Sequence, residues 1–268
     1  MSRLVIIPTY NEKENVAAII EAVMSLPIEF HVLIIDDGSP DGTANIVKDL
    51  MATTYTDRLF IVERSGKLGL GTAYIAGFKW ALANNYDLIF EMDCDFSHNP
   101  DDLKRLATRL ETDADVAIGS RYGRGVNVVN WPLSRLLMSY FASKYVKIVT
   151  GMPVCDATAG FVGYKAEVLR KINLDRVQMV GYGFQIEMKY TAWKHGFRIA
   201  EESIIFIDRF AVQFDGGYAA GMDKVQDLLF DSLEHQQDPG DLDAAARTAR
   251  TSTDKHQGKQ DPLGKAWP

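Results

Sequence analysis

Short apolar segments alternate with segments of helical periodicity, and this alternation restricts the possible folds more than any other feature of the sequence. The apolar segments predict strands over residues 4–7, 31–35, 59–63, 88–92 and 116–118. Between them, apolar residues recur every three or four positions, which predicts helices over 15–26, 43–51, 72–83 and 101–110. Near-continuous apolar strands joined by helices indicate an α/β fold, with a mostly parallel sheet sandwiched by helices.

Composition and length limit the domain count and the class of partner. The chain has 268 residues and a net charge of −7, which argues against nucleic-acid binding because that function needs a basic face. The two cysteines, Cys94 and Cys155, form neither a metal motif nor a disulfide framework. We predict one domain over residues 1–210 and a divergent, largely disordered tail over 211–268, because 240–268 has few large apolar residues.

An acidic pair follows the fourth predicted strand. Asp93 and Asp95 stand two residues apart where extended backbone gives way to a turn, so both carboxylates can converge on one cation. Mg²⁺ and Mn²⁺ prefer such oxygen ligands and complete their shell with water and substrate phosphates. The alternative is an acidic loop whose carboxylates are solvated or cap the helix predicted from residue 101.

Polar or glycine-rich motifs follow other predicted strands as well. They are Pro-Thr-Tyr-Asn-Glu from residue 8, Asp-Asp-Gly-Ser from residue 36, Gly-Lys-Leu-Gly-Leu-Gly from residue 66 and Gly-Ser-Arg-Tyr from residue 119. The carboxyl ends of parallel strands are where α/β sheets bind ligands. Tyr10 offers a flat face to a base, Asp37 an acceptor to a ribose or base edge, and Arg121 a bidentate donor to a diphosphate. Ordinary turns and helix caps are the alternative for each motif taken alone.

In this order, these motifs resemble the GT-A glycosyltransferases of family 2, and within that family most closely the polyprenol (dolichol) phosphate mannose synthases. The resemblance continues in Asp-Ala-Thr-Ala-Gly-Phe from residue 156, Gly-Tyr-Gly-Phe-Gln-Ile-Glu from residue 181 and Phe-Ile-Asp-Arg from residue 206. It covers residues 3–209 and implies a GT-A, Rossmann-like fold. It also implies an inverting, metal-dependent transfer of mannose from GDP-mannose to a polyprenyl (dolichyl) phosphate, with Mg²⁺ or Mn²⁺ as cofactor.

The resemblance also assigns roles to individual residues. The nucleoside pocket would be lined by Pro8, Tyr10, Glu12, Ile35 and Asp37. Asp93 and Asp95 would serve the metal and the diphosphate, with Ser97 as a third metal ligand and Cys94 as a substrate contact. Asp95, Arg121 and Arg209 would form the catalytic group, with both arginines facing phosphates, and Arg135 would bind the acceptor phosphate.

Residues 130–151 bear on the acceptor. Aromatic and aliphatic residues recur there at roughly helical spacing with Arg135, Lys144 and Lys147 between them, a pattern typical of helices at a lipid headgroup boundary. The alternative is a helix whose apolar face packs in the protein core. We expect a cytoplasmic protein bound peripherally at the cytosolic membrane face, alone or with a membrane partner protein, because no segment approaches the roughly 18 apolar residues of a membrane span.

Two other functions stay open from the sequence. The first is a family 2 transferase with another nucleotide-sugar donor or acceptor. The second is an inactive nucleotide-binding subunit, because the Gly-x-Ser-Lys-Met segment that the family places after Asp-Arg is replaced here by Phe-Ala-Val-Gln-Phe from residue 210. A dinucleotide-dependent oxidoreductase fits poorly, since no Gly-x-Gly-x-x-Gly follows the first strand.

Overall fold

The computed structural model describes residues 1–208 of the chain. Its strands are β1 (Arg3–Thr9), β2 (His31–Asp36), β3 (Leu59–Glu63), β4 (Leu88–Glu91), β5 (Val116–Ser120), β6 (Val128–Val129), β7 (Val162–Lys165), β8 (Ile199–Ser203) and β9 (Phe206–Ile207). Its α-helices are α1 (Val16–Met24), α2 (Thr43–Thr53), α3 (Leu70–Ala83), α4 (Leu103–Thr112), α5 (Leu133–Thr150), α6 (Ala166–Lys171) and α7 (Tyr182–Lys194). Short 3₁₀ turns span Pro100–Asp102 and Leu174–Arg176. Arg209 and the tail predicted over 211–268 lie outside the described residues.

A seven-stranded sheet in the order β3-β2-β1-β4-β7-β5-β8 forms the centre of the described part. Every neighbouring pair is parallel except the two that β7 makes with β4 and β5, which are antiparallel. Buried apolar residues cover both faces of the sheet in two clusters. The predicted α/β class, with a mostly parallel sheet between helices, is confirmed.

The structure contains elements that the sequence analysis did not predict, namely strands β6, β7, β8 and β9 and helix α6. Strand β7 was not predicted, because its Val-Gly-Tyr-Lys sequence has neither a long apolar run nor a clear alternation. The helix predicted from residue 101 begins as a 3₁₀ turn whose first amide is capped, with the Asp101 backbone N–H donating to Asn99 Oδ1 at 3.1 Å. The capping side chain is therefore Asn99, and the acidic pair of residues 93 and 95 takes no part in it.

Gly163 in β7 is required by close packing within the sheet. A Cβ atom at this position would lie 2.7 Å from Cε1 of Phe90 and 2.9 Å from Cδ1 of Leu110. We expect Gly163→Ala to lower the free energy of unfolding by about 1–3 kcal/mol, because a well-packed core relieves such overlap only by shifting side chains or backbone. Urea unfolding would measure this loss. Gly66→Ala is the control, since a Cβ at Gly66 meets nothing within 4 Å, and equal stability of the two variants would contradict the prediction.

Helix α5 has its large apolar side chains on the outside. The residues it buries are Ser139, Ala142, Ser143 and Val146. The exposed side carries an apolar face that we define by Leu133, Leu137, Phe141 and Ile148, which are 45–82% exposed. The alternative in which this helix packs its large apolar residues in the core is therefore wrong for these four side chains. Within residues 1–208, none of the helices combines the length and hydropathy that a bilayer-spanning segment requires.

Strands β6 and β9 form a separate, two-stranded parallel pair. It connects the loop after β5 to the last described residues, and the Ile207 N–H donates to the Ser97 carbonyl at 3.2 Å. The acidic loop after β4 is thereby connected to the segment that carries Trp131 and Arg135. Residues far apart in the chain are held around one region in this way.

Candidate active site

Three carboxylates gather at the carboxyl ends of β1 and β4. Partial burial, followed by the charges of Asp95 and Glu12, raises the pKa of Asp93 to about 7. Burial also raises the pKa of Glu12, and Asp95 contributes to that rise. Glu12, Asp93 and Asp95 therefore lie close enough for their charges to act on one another, and 36% of the Asp93 side chain is exposed. A cation bound here would relieve the repulsion between these groups.

The acidic pair fits a hard divalent cation that would take only some of its ligands from the protein. Asp93 accepts a hydrogen bond from the Tyr74 hydroxyl at 3.3 Å, and Asp95 accepts one from the Ser97 backbone N–H at 2.9 Å. The described residues contain no cluster of three His, Cys, Asp or Glu side chains arranged to hold a metal. Mg²⁺ sites commonly use one or two carboxylates and leave the other positions to water and substrate phosphates. The predicted third ligand, Ser97, lies on the same loop and is buried.

The neighbouring region is built on Asp37 at the end of β2. Both Asp37 oxygens accept from Arg64, from Nε at 2.6 Å and from Nη2 at 2.8 Å. Tyr10 is 39% exposed, and Lys67 Nζ lies 5.0 Å from its ring centroid. Sequence reasoning missed Arg64, although it follows directly on a predicted strand and the rule used for the other motifs would have found it. Asp37 and Tyr10 thus lie just after β2 and β1, two neighbouring strands, with Arg64 fixing the Asp37 carboxylate, and their contact with a nucleoside stays a prediction.

Two predicted substrate contacts have buried side chains. Ile35 is fully buried in the core, and Cys94 is 3% exposed, with burial raising the pKa of its thiol. Any contact of these residues with a ligand would be made by their backbone atoms. Pro8 is partly exposed and pairs with Ile35 in the register between β1 and β2, so these two positions remain next to each other at the strand ends.

Arg121 lies in a buried arrangement with Asp156 and Thr158. Its Nε and Nη2 donate to the two Asp156 oxygens at 2.7 and 2.6 Å, and Nη2 also donates to the Thr158 hydroxyl at 2.9 Å. Arg121 lowers the pKa of Asp156 against the opposing effect of burial, which keeps the carboxylate charged. The charge of Arg121 partly opposes the rise in the pKa of Asp93. Phe206 connects the two, since its ring contacts both Arg121 and His98, and His98 Nδ1 lies 3.7 Å from Asp93 Oδ2. Asp156 and Thr158 thus fix the plane and orientation of the guanidinium.

Trp131 brings the two predicted phosphate-binding arginines of the described region together. The guanidinium carbon of Arg121 lies 5.3 Å from the Trp131 ring centroid, and that of Arg135 lies 4.3 Å from it. Arg135 also forms an ion pair with Asp208. Neither Trp131 nor Asp208 was predicted as part of a site, because their proximity depends on the β6–β9 pairing. Arg121 and Arg135 thus lie side by side on Trp131, and their predicted roles stay predictions.

Comparison with known proteins shows which family this chain resembles. The family model described as "Glycosyl transferase family 2" matches residues 4–173. The chain is 45% identical over 206 residues to the polyprenol monophosphomannose synthase of Mycolicibacterium smegmatis, covering 77% of this chain and 77% of that protein. It is 43% identical over 209 residues to the undecaprenyl-phosphate mannosyltransferase of Micrococcus luteus, covering 78% of this chain and 85% of that protein.

A solved structure shows the same fold at low sequence identity. It is glucosyl-3-phosphoglycerate synthase from Mycobacterium tuberculosis in complex with Mn²⁺, UDP and glucosyl-3-phosphoglycerate, with a TM-score of 0.60 and 16% identity. The alignment covers 88% of this chain and 79% of that one. The family match, which spans more than half of the chain, and the two curated relatives decide the assignment: this chain belongs to glycosyl transferase family 2.

Proposed function

We propose that this protein transfers mannose from GDP-mannose to a polyprenyl phosphate, with inversion at the anomeric carbon. The observation that carries the proposal is the grouping of Asp93 with Arg121, which both lie next to the contacting pair His98 and Phe206, and the sharing of the Trp131 ring by Arg121 and Arg135. Such a grouping provides an acidic side for a cation and a basic side for a second phosphate. The names of the two curated relatives, a polyprenol monophosphomannose synthase and an undecaprenyl-phosphate mannosyltransferase, support the same acceptor and sugar.

Transfer to a phosphate acceptor requires no general base in the protein. A phosphate monoester has a second pKa of about 6, so it is largely dianionic at neutral pH and is already a nucleophile. Catalysis then consists of holding the acceptor phosphate in line with the anomeric carbon and stabilising the charge on the departing diphosphate. Arg121 suits the first task because Asp156 and Thr158 hold its planar group in one orientation.

Mg²⁺ or Mn²⁺ would be held by Asp93 and Asp95, with Ser97 on the same loop. When bound, such an ion supplies positive charge to the diphosphate leaving group. On the donor side, Tyr10 offers an exposed ring for the base, and Asp37, fixed by Arg64, offers a carboxylate edge for the nucleoside. Arg135, beside Arg121, adds a second cation for the acceptor phosphate.

The exposed apolar face of α5 suits peripheral contact with the bilayer that contains such an acceptor. We expect the triple variant Leu133→Ser/Phe141→Ser/Ile148→Ser to bind anionic vesicles at least about tenfold more weakly, because burial of each such side chain is worth about 1.5–3 kcal/mol. Co-sedimentation measures the bound fraction. Val180→Ser is the control, since Val180 is 80% exposed and lies outside this face. Unchanged vesicle binding of the triple variant would contradict the proposed contact.

A single transfer experiment tests the proposed function. The full chain is incubated with GDP-mannose labelled in the sugar, a polyprenyl phosphate and Mg²⁺ or Mn²⁺, and the organic phase is then extracted. We expect labelled lipid that depends on both the acceptor and the cation. Labelled lipid from UDP-glucose but not from GDP-mannose would replace the donor, and cation-dependent GDP binding without any transfer would favour the inactive nucleotide-binding subunit.

A further inference from the structure

A cleft of about 410 Å³ lies between α5 and the loop that follows β5. Its lining is mostly apolar and includes Tyr122, Val126, Leu136, Leu137, Tyr140 and Cys155. Its volume falls within the range of about 300–1,000 Å³ that small-molecule sites occupy. The proposed transfer reaction assigns no role to this cleft, since the acidic pair and the arginines described above do not line it.

The cleft begins next to the basic side of the candidate active site. Three segments each place one residue in the group formed by Arg121, Arg135 and Asp156 and the adjacent residue in the wall of the cleft. These neighbours are Arg121 with Tyr122, Arg135 with Leu136, and Asp156 with Cys155. Because consecutive Cα atoms lie about 3.8 Å apart, the cleft and the arginines share the same three backbone segments. A hydrocarbon chain attached to a phosphate near the arginines would meet this cleft first.

The other side of the cleft continues into the exposed apolar face of α5. Leu137 lines the cleft and belongs to that face, and Val126 opposite it is 50% exposed. Lys144, which also lines the cleft, lies about two turns after Leu137, on the same side of the helix as Phe141 and Ile148. Contiguous exposed apolar side chains often mark a ligand-binding groove or a membrane contact.

We propose that this cleft binds the isoprene units nearest the phosphate of the acceptor lipid. The inference rests on the proposed function, since it places the chain of the same acceptor whose phosphate meets Arg121 and Arg135. The volume suits a short part of an isoprenoid chain, and the remainder would continue along the apolar face of α5 into the bilayer. The cleft then selects for the branched chain at the reactive end of the acceptor.

Cys155 provides a direct probe of occupancy. It lines the cleft and is partly exposed, whereas Cys94 is buried and serves as the internal control for alkylation. We expect farnesyl phosphate at saturation to slow alkylation of Cys155 at least about fivefold, as measured by mass spectrometry of the intact chain. Inorganic phosphate should give no protection, and dodecyl phosphate, which has a saturated chain of the same length, should give less. Equal protection by dodecyl phosphate, or protection by inorganic phosphate alone, would overturn the isoprenoid assignment.

A pair of adjacent variants tests the cleft by kinetics. Leu137 and Met138 are 45% and 43% exposed on the same helix, and only Leu137 lines the cleft. We expect Leu137→Ser to raise the KM for farnesyl phosphate about tenfold, with kcat and the KM for GDP-mannose near wild type, because the loss of one apolar contact is felt mainly in acceptor binding. Met138→Ser should leave all three parameters near wild type, and equal KM values in both variants would overturn the inference.

The two experiments also separate this inference from the proposed function. If mannose is transferred to farnesyl phosphate while Cys155 is alkylated at the same rate with and without that acceptor, the cleft assignment fails and the transfer function stands. If Cys155 is protected by farnesyl phosphate but no transfer occurs with any acceptor, the cleft still binds the isoprenoid chain and the proposed function fails.

Discussion

Replacement of Asp95 by alanine is expected to lower kcat for sugar transfer by about 10²–10³, the loss typical of removing one key electrostatic stabiliser. Asp95 contributes charge to the group that contains Asp93 and Glu12, and that charge is what a divalent cation would be attracted to. The same variant should bind GDP more weakly in the presence of Mg²⁺ or Mn²⁺. Steady-state kinetics and cation-dependent titration of GDP measure the two effects.

Asp95→Asn separates the charge from the local structure. Asparagine keeps an oxygen that can accept the bond which the Ser97 N–H donates to Asp95 at 2.9 Å, but it removes the negative charge. We expect the asparagine variant to lose activity nearly as strongly as the alanine variant. Asp101→Ala is the matched control, because Asp101 is an exposed carboxylate that pairs only with Lys104 among the described ion pairs. Turnover close to wild type in Asp95→Asn would assign the residue a role in loop structure and remove it from the metal site.

Replacement of Lys189 by methionine is expected to cost about 3–5 kcal/mol of stability, the typical loss when one partner of a buried charge network is removed. Lys189 is fully buried in α7, and its Nζ donates to the carbonyls of Ala157 at 3.1 Å, Ala159 at 2.6 Å and Gln185 at 3.2 Å. Burial lowers the pKa of Lys189 and the nearby Glu91 charge opposes that effect. Carbonyls left without a donor carry a further penalty because water does not reach them.

The same substitution should also affect the acceptor. Two of the three carbonyls that Lys189 holds, those of Ala157 and Ala159, belong to the segment that carries Asp156 and Thr158, which orient Arg121. We therefore expect a raised KM for the lipid phosphate with little change in the KM for GDP-mannose, a split that general destabilisation would not produce. Lys194→Met, an exposed position on the same helix, should leave stability within about 0.5 kcal/mol of wild type. A loss below about 1 kcal/mol in Lys189→Met, measured by urea unfolding, would contradict the structural role of this amine.

Local sequence was sufficient for the parts of the site that follow parallel strands. Asp37, Asp93 and Arg121 each come within three residues after a predicted strand, and the common direction of parallel strands brings such positions to one edge of the sheet. The same rule explains Arg64, which was missed only because no motif drew attention to it. Predictions of this kind need the strand ends and no knowledge of the distant chain.

No rule based on local sequence predicts the partners of the charged groups. Asp156 lies 35 positions after Arg121, Asp208 lies 73 positions after Arg135, and Gln185 lies 94 positions after Glu91. The first contact depends on the insertion of β7 between β4 and β5, the second on the pairing of β6 with β9, and the third on the position of α7 beside β4. A four-residue strand and two two-residue strands carry little periodicity, so their pairing depends on the surrounding packing.

Helix α5 shows most clearly which features the sequence determines and which depend on the tertiary structure. Its apolar residues at helical spacing and its basic residues were evident from the chain, and so was the alternation of strands and helices that determines the α/β class. Which side of α5 packs inward was decided by the tertiary structure, since small residues such as Ser139 and Ala142 allow the close approach of the neighbouring loops and leave Phe141 and Ile148 outside. Periodicity defines the faces of a helix, whereas contact with the rest of the chain determines which face water, lipid or protein will cover.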